Sequence, residues 1–216
     1  MKKIISALLL CCMLLAGSSV NVLANDKEAI HQDDLGTFEQ EEFEKLIDKI
    51  IEMQKSFPQL DDKEIEKSLD QQKSISDIWG ALTPTEKKLV IRYPLSALQV
   101  NKAKNIAVNQ TEIKFGYNGL GDRSDAFRHG LWNAEMTVLI GAEKAELFAT
   151  AHEDKDLNGN ESDGYSKIEH KNMDLHNNEV GRRIGSDSGN LTEDMLSEKI
   201  YNEVMKENTE FVWLHE

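Results

Sequence analysis

Asp125-Ala126-Phe127-Arg128-His129-Gly130-Leu131-Trp132-Asn133 decides how this chain is read. Asp125, His129 and Asn133 recur at i, i+4 and i+8, so a helix places all three on one face. Arg128 and Trp132 flank that face. A carboxylate one turn before an imidazole can bind a metal ion with it, or orient it as a base. Polar groups on an otherwise apolar helix cost free energy unless they bond to one another or to an ion.

The same pattern continues downstream. The helical spacing runs from Ser124 to about Ile140, with Gly141 as punctuation. Ala142 to His152 reads as a second helix, whose Ala145, Phe148 and Ala149 place His152 on a buried face. Glu153 follows at about 100° to His152. A polar loop spans Glu153 to Ser166, and a third helix runs from about Asn172 to Ile184. On it Asp174, Asn177, Asn178 and Gly181 share a face, and Gly181 permits a close helix contact. His176 lies about 200° around from Asp174, which places it behind the site or in solvent. Thr192 caps a last helix to about Lys206, and Phe211 to Leu214 form an apolar tail.

Upstream, Thr83-Pro84-Thr85-Glu86 is a helix start with N-cap, proline and capping-box acid in register. A helix over about Leu95–Asn109 follows. Thr37 to Gln40 is a second capping-box pattern, opening a helix through about Gln54 after an irregular lead-in over 25–36. A helix over Asp62–Leu82 has a weak middle between Asp70 and Ser76. No segment alternates as a strand does. The expected fold is all-α: a compact domain of about five to seven helices over residues 80–216, with a helical arm over 25–79 and no substantial sheet.

The first 24 residues read as a secretory signal: Lys2 and Lys3, an apolar run from Ile4 to Ala16, and a cleavage site after Ala24. A lipid anchor at Cys11 or Cys12 is disfavoured, because Leu8-Leu9-Leu10 lacks the expected small residues. The expected location is therefore extracellular, with no membrane span after cleavage. Cleavage removes both cysteines, so no disulfide framework follows. The net charge of −14 becomes −16 without the two lysines, which disfavours a nucleic-acid partner.

Two metal sites are candidates. His129, His152 and Asp174 could hold zinc or calcium between the helices. Asp154, Asp156, Asn158 and Asn160 match the first half of a calcium-binding loop, with Gly159 at its sixth position but Tyr165 at its twelfth. His129, Asp125 and Glu153 are the candidate catalytic groups, and Arg128, Trp132, Asn133, Asn177 and Asn178 the candidate substrate contacts. A metal-assisted hydrolase of phosphoesters or esters leads. A non-catalytic binding module stabilised by calcium would use the same residues, with the polar groups forming a buried network that pins the helices.

Leu82-Thr83-Pro84-x-Glu86-Lys87, the Asp125–His129 motif, Ala151-His152-Glu153 and Met173-Asp174-Leu175-His176-Asn177-Asn178-Glu179-Val180-Gly181-Arg182 together resemble an uncharacterised bacterial domain family found in secreted and toxin-like proteins. The resemblance covers about residues 80–185 and implies a toxin-like effector as a third alternative. Arg128-His129 and Asn133 after Gly119 and Gly121 also resemble prokaryotic secreted phospholipases A2. Here Gly130 replaces the calcium-binding Asp of that family, and the mature chain lacks its cysteines.

Overall fold

A computed structural model of the protein describes residues 32–72 and 75–216. The expected signal over residues 1–24, and residues 25–31, lie outside the described residues. Those described form helices α1 (Gln32–Ser56), α2 (Asp62–Asp70), α3 (Ser76–Ala81), α4 (Pro84–Arg92), α5 (Pro94–Phe115), α6 (Arg123–Ile140), α7 (Ala142–His152), α8 (Lys167–Ser186) and α9 (Glu193–Val204). No strand occurs among them beyond one isolated bridge, Asn160 to Ser166. The protein is all-α, with six helices starting within 80–216.

Capping chemistry sets most of the boundaries. Thr83 and Glu86 form the expected capping box at α4, and Asp61 with Glu64 forms another at α2. Helix α1 already covers Gln32 to Gly36, so the irregular lead-in ends earlier than the sequence suggested and Thr37 lies inside the helix. Helix α5 continues past Asn109 to Phe115, where Gly116 closes it at φ 78°. Helix α8 starts at Lys167, five residues before the expected Asn172. A Ser166–Glu169 capping box fixes that start.

Helix α6 is the axis of the fold. Every residue from Ser124 to Thr137 is buried, as expected for a helix enclosed on all sides. Phe127 and Leu131 join one hydrophobic core with Leu46 and Ile50 of α1, Ile91 of α4 and Ile200 of α9. Glycine brings α8 onto α6. A Cβ at Gly181 would stand 2.2 Å from the Gly130 carbonyl oxygen, and one at Gly185 2.6 Å from that of Ala134. The C-terminal tail returns to the same region. Phe211 fills the space over Gly130, where a Cβ would meet its ring at 2.4 Å. Gly130 is thus a packing surface. No described helix is long and apolar enough to cross a membrane.

Candidate functional site

The close approach of α6 and α8 brings Asp125, His129 and Asp174 to one point. His129 Nε2 lies 3.5 Å from Asp125 Oδ1 and 3.4 Å from Asp174 Oδ1. One ligand atom from each of the three residues lies within 4.8 Å of the others, and all three residues are buried. These separations are long for hydrogen bonds. They match two ligands held about 2.1 Å from one tetrahedral ion, which stand about 3.4 Å apart.

A chain of side chains fixes the imidazole. Arg182 Nη1, which can only donate, bonds Asn133 Oδ1 at 3.0 Å. Asn133 therefore turns its Nδ2 to Asn178 Oδ1, at 2.6 Å. Asn178 then offers an oxygen to His129 Nδ1 at 3.2 Å, so Nδ1 carries the proton. The lone pair on Nε2 faces the two carboxylates. This is the tautomer a metal-ligating histidine needs, held by an amide oxygen behind it.

The electrostatics agree. Burial, opposed by the charge of Asp125, holds the His129 pKa below its ordinary value. Burial and then the charges of Asp125 and Glu153 push Asp174 well above the usual carboxylate range. Burial would raise Asp125 too, but the charges of Arg128 and His129 and the Gly121 N–H hold it low. Arg128 donates to Asp125 Oδ1 and to Gly119 O, and Gly121 N–H donates to Asp125 Oδ2 at 2.7 Å. Three acceptors facing one another require a proton or a cation among them. The high proton affinity of Asp174 is the response of these residues alone.

Beside this cluster is a cavity of about 40 Å³, lined among others by Glu153, Lys155, Lys167, His170, Lys171 and Asp174. Three buried side-chain atoms of its lining have no hydrogen-bond partner: Asp174 Oδ1, Glu153 Oε1 and His170 Nδ1. Buried polar atoms of this kind are few in native proteins and point to a missing partner. Among the described residues, no second set of three such groups converges as tightly as Asp125, His129 and Asp174.

The remaining candidates fall elsewhere. His152 bonds Glu86 Oε1 at 3.0 Å and stacks edge-on against Trp132, one ring away from the cluster. Trp132 donates to Val100 O, and Asn177 binds the Val212 backbone in both directions. Arg128 and Asn133 likewise bond to partners within the chain, while Asn178 accepts through Oδ1 and its Nδ2 is buried without a partner. His176 is exposed and bonds Glu210 O. In the 154–160 loop, Asp154 accepts from Thr85, Asp156 from Asn158, and Asn160 donates to Gly164 O. Helical spacing in the sequence does not single out His170 or His215, which here share Asp163. Asp163 bonds His170 Nε2 at 3.0 Å and His215 Nε2 at 3.3 Å. The signal in the sequence is the Ser166-x-x-Glu169 capping box, which sets His170 four residues, about one helical turn, before Asp174.

Fold and site define an all-α protein with a buried Asp–His–Asp cluster opening on a small polar cavity. The chain belongs to a family described as a domain of unknown function (DUF6973), whose model matches residues 87–209. That span contains Asp125, His129, Glu153, His170 and Asp174 and stops short of the Phe211–Glu216 tail. Neither the curated proteins nor the solved structures contain a significant match.

Proposed function

We propose that this protein is a divalent-metal-dependent hydrolase of phosphoesters. The observation that carries the reading is the orientation of His129. Its Nε2 lone pair is aimed between two buried carboxylates at 3.4 and 3.5 Å, beside a cavity with further unpartnered acid and imidazole atoms. Three protein ligands, of which Asp174 borders the cavity, would leave a fourth position for water, the pattern of catalytic rather than structural metal sites. An imidazole with two carboxylates suits zinc or a similar transition ion better than calcium, which takes six to eight oxygens. Such an ion would lower the pKa of a coordinated water toward neutrality and offset negative charge on a phosphoryl group.

The chain supplies the rest. Lys155, Lys167 and Lys171 line the cavity together with Glu153, Asp156, Glu161 and Asp174; with an ion bound at the cluster, the three ammonium groups are the lining's contacts for an anionic group. The phosphoester reading follows from them. Glu153, with Oε1 buried and unpartnered on the cavity wall, accepts the proton of the attacking water. Asp125 and Arg128 hold the Gly119–Gly121 turn, whose Leu120 lines the cavity, by hydrogen bonds to Gly121 N–H and Gly119 O.

Hydrolysis of bis(p-nitrophenyl) phosphate by the metal-loaded protein tests the reading. Asp174→Asn and His129→Ala should each lower kcat/KM by about a hundredfold or more, as expected when a metal ligand or its orientation is lost. Equal rates in excess chelator, or full activity in Asp174→Asn, would overturn it.

A further inference from the structure

The Asp163–His170 pair has no part in the metal site, yet His170 lines the same cavity. His170 is 5% exposed, and its Nδ1 is buried without a partner. Its Nε2 is turned to the Asp163 carboxylate at 3.0 Å. Asp163 stays ionised. Burial works against this, but hydrogen bonds from His170 and the Tyr165 N–H hold its pKa below the ordinary value. The carboxylate thus fixes the ring, keeps a proton on Nε2, and compensates a second proton on Nδ1.

Two other elements hold the pair in place. His215 of the C-terminal tail donates to the second Asp163 oxygen at 3.3 Å, and its ring stacks on Tyr165. Gly121, at φ 74°, lies against both residues of the pair. A Cβ there would stand 2.6 Å from Asp163 Oδ2 and 2.9 Å from His170 Cε1. The same Gly121 donates its N–H to Asp125. One backbone unit therefore connects the Asp–His pair with the Asp–His–Asp cluster.

We infer that His170, oriented by Asp163, is the acid that protonates the leaving oxygen of the phosphoester. The inference rests on the hydrolase reading and adds its second proton-transfer group. The attacking water forms the new P–O bond and gives its proton to Glu153. The ester P–O bond breaks, and its oxygen departs with the proton from His170 Nδ1. The proton on Glu153 then returns to His170 through water in the cavity, which at about 40 Å³ has room for it. One water is consumed and both residues are restored.

The test compares His170→Gln and Asp163→Asn with the wild type on two diesters, diphenyl phosphate and bis(p-nitrophenyl) phosphate. Nitrophenolate departs without protonation, whereas phenolate needs it. His170→Gln should lose about a hundredfold in kcat on diphenyl phosphate and less than about tenfold on the nitrophenyl ester. Bound metal and KM should stay unchanged. Asp163→Asn, which keeps the ring, should show the same dependence more weakly. Equal losses on both esters, or loss of the metal in His170→Gln, would overturn the assignment. If the metal-loaded wild type hydrolyses neither diester, the hydrolase reading fails and the acid role falls with it. A readout independent of activity is the ¹⁵N spectrum of the imidazoles in metal-free protein. His170 should carry a proton on Nε2 and His129 on Nδ1. A neutral His170 protonated on Nδ1 alone would refute the inference whatever the activity.

Discussion

Substituting alanine for Gly181 perturbs the contact on which the site depends. Its Cβ would stand 2.2 Å from the Gly130 carbonyl oxygen, a backbone atom that cannot rotate away. Restoring an ordinary carbon–oxygen contact requires α8 to move away from α6 by about 1 Å. Overpacking of this kind costs about 3 kcal/mol, offset by about 1 kcal/mol from the better helix propensity of alanine. The net loss of about 2 kcal/mol corresponds to a Tm lower by about 4–8 °C for a chain of this size. The same displacement separates Asp174 from Asp125 and His129, and metal ligands tolerate only about 0.2 Å. Metal affinity should therefore fall by more than about tenfold. Thermal unfolding by circular dichroism and calorimetric metal titration measure both effects. Gly80→Ala is the control, because nothing lies within 4 Å of a Cβ there, and it should be neutral or slightly stabilising. A Gly181→Ala protein with wild-type Tm and metal affinity would refute the packing argument.

Other expectations concern charge and the tail. Burial and then the charge of Glu193 push Glu135 up to about 7 from 4.5. The folded state then holds a proton that the unfolded chain has released between those values, so stability falls as pH rises through that window, by at most about 3 kcal/mol. Glu135→Gln should flatten the difference between melts at pH 5 and pH 8, and an unchanged difference would contradict this. Asp174 is also raised, so in metal-free protein Asp174→Asn should increase Tm at pH 8 while abolishing any stabilisation by metal; a lower metal-free Tm would count against the repulsion described here. Phe211→Ala should cost about 3–4 kcal/mol by chemical denaturation, since its buried ring covers Gly130. A loss below about 1 kcal/mol would show that the tail is not part of the core.

Local chemistry made much of the fold legible. Thr83 and Glu86 announce α4, Thr192 announces α9, and the Asp125–His129–Asn133 face marks the buried axis. The spacing on α8 also singled out Asp174, Asn178 and Gly181. What failed was a boundary with a consequence. Ser166 and Glu169 form a capping box inside a polar loop, and the helical spacing that begins near Asn172 does not include His170. The direction of a side chain was equally hidden. His152 looks like a ligand by its place on α7, but Glu86, 66 residues earlier, takes its imidazole. Long-range returns account for the rest. Nothing near Gly130 announces that Phe211 covers it, and nothing near Asp163 announces His215. The 154–160 loop has the composition of a calcium loop, and its Asp154, Asp156 and Asn160 side chains bond to Thr85, Asn158 and Gly164.

The most direct test is the number of metal ions held per chain. The purified protein would be stripped with chelator, titrated with zinc and analysed for its metal content, beside Asp174→Asn and His129→Ala. One ion per chain in the wild type, lost in both variants while each remains folded, is the expected result. No stoichiometric ion in the wild type, or one retained in both variants, would contradict a metal centre at Asp125, His129 and Asp174.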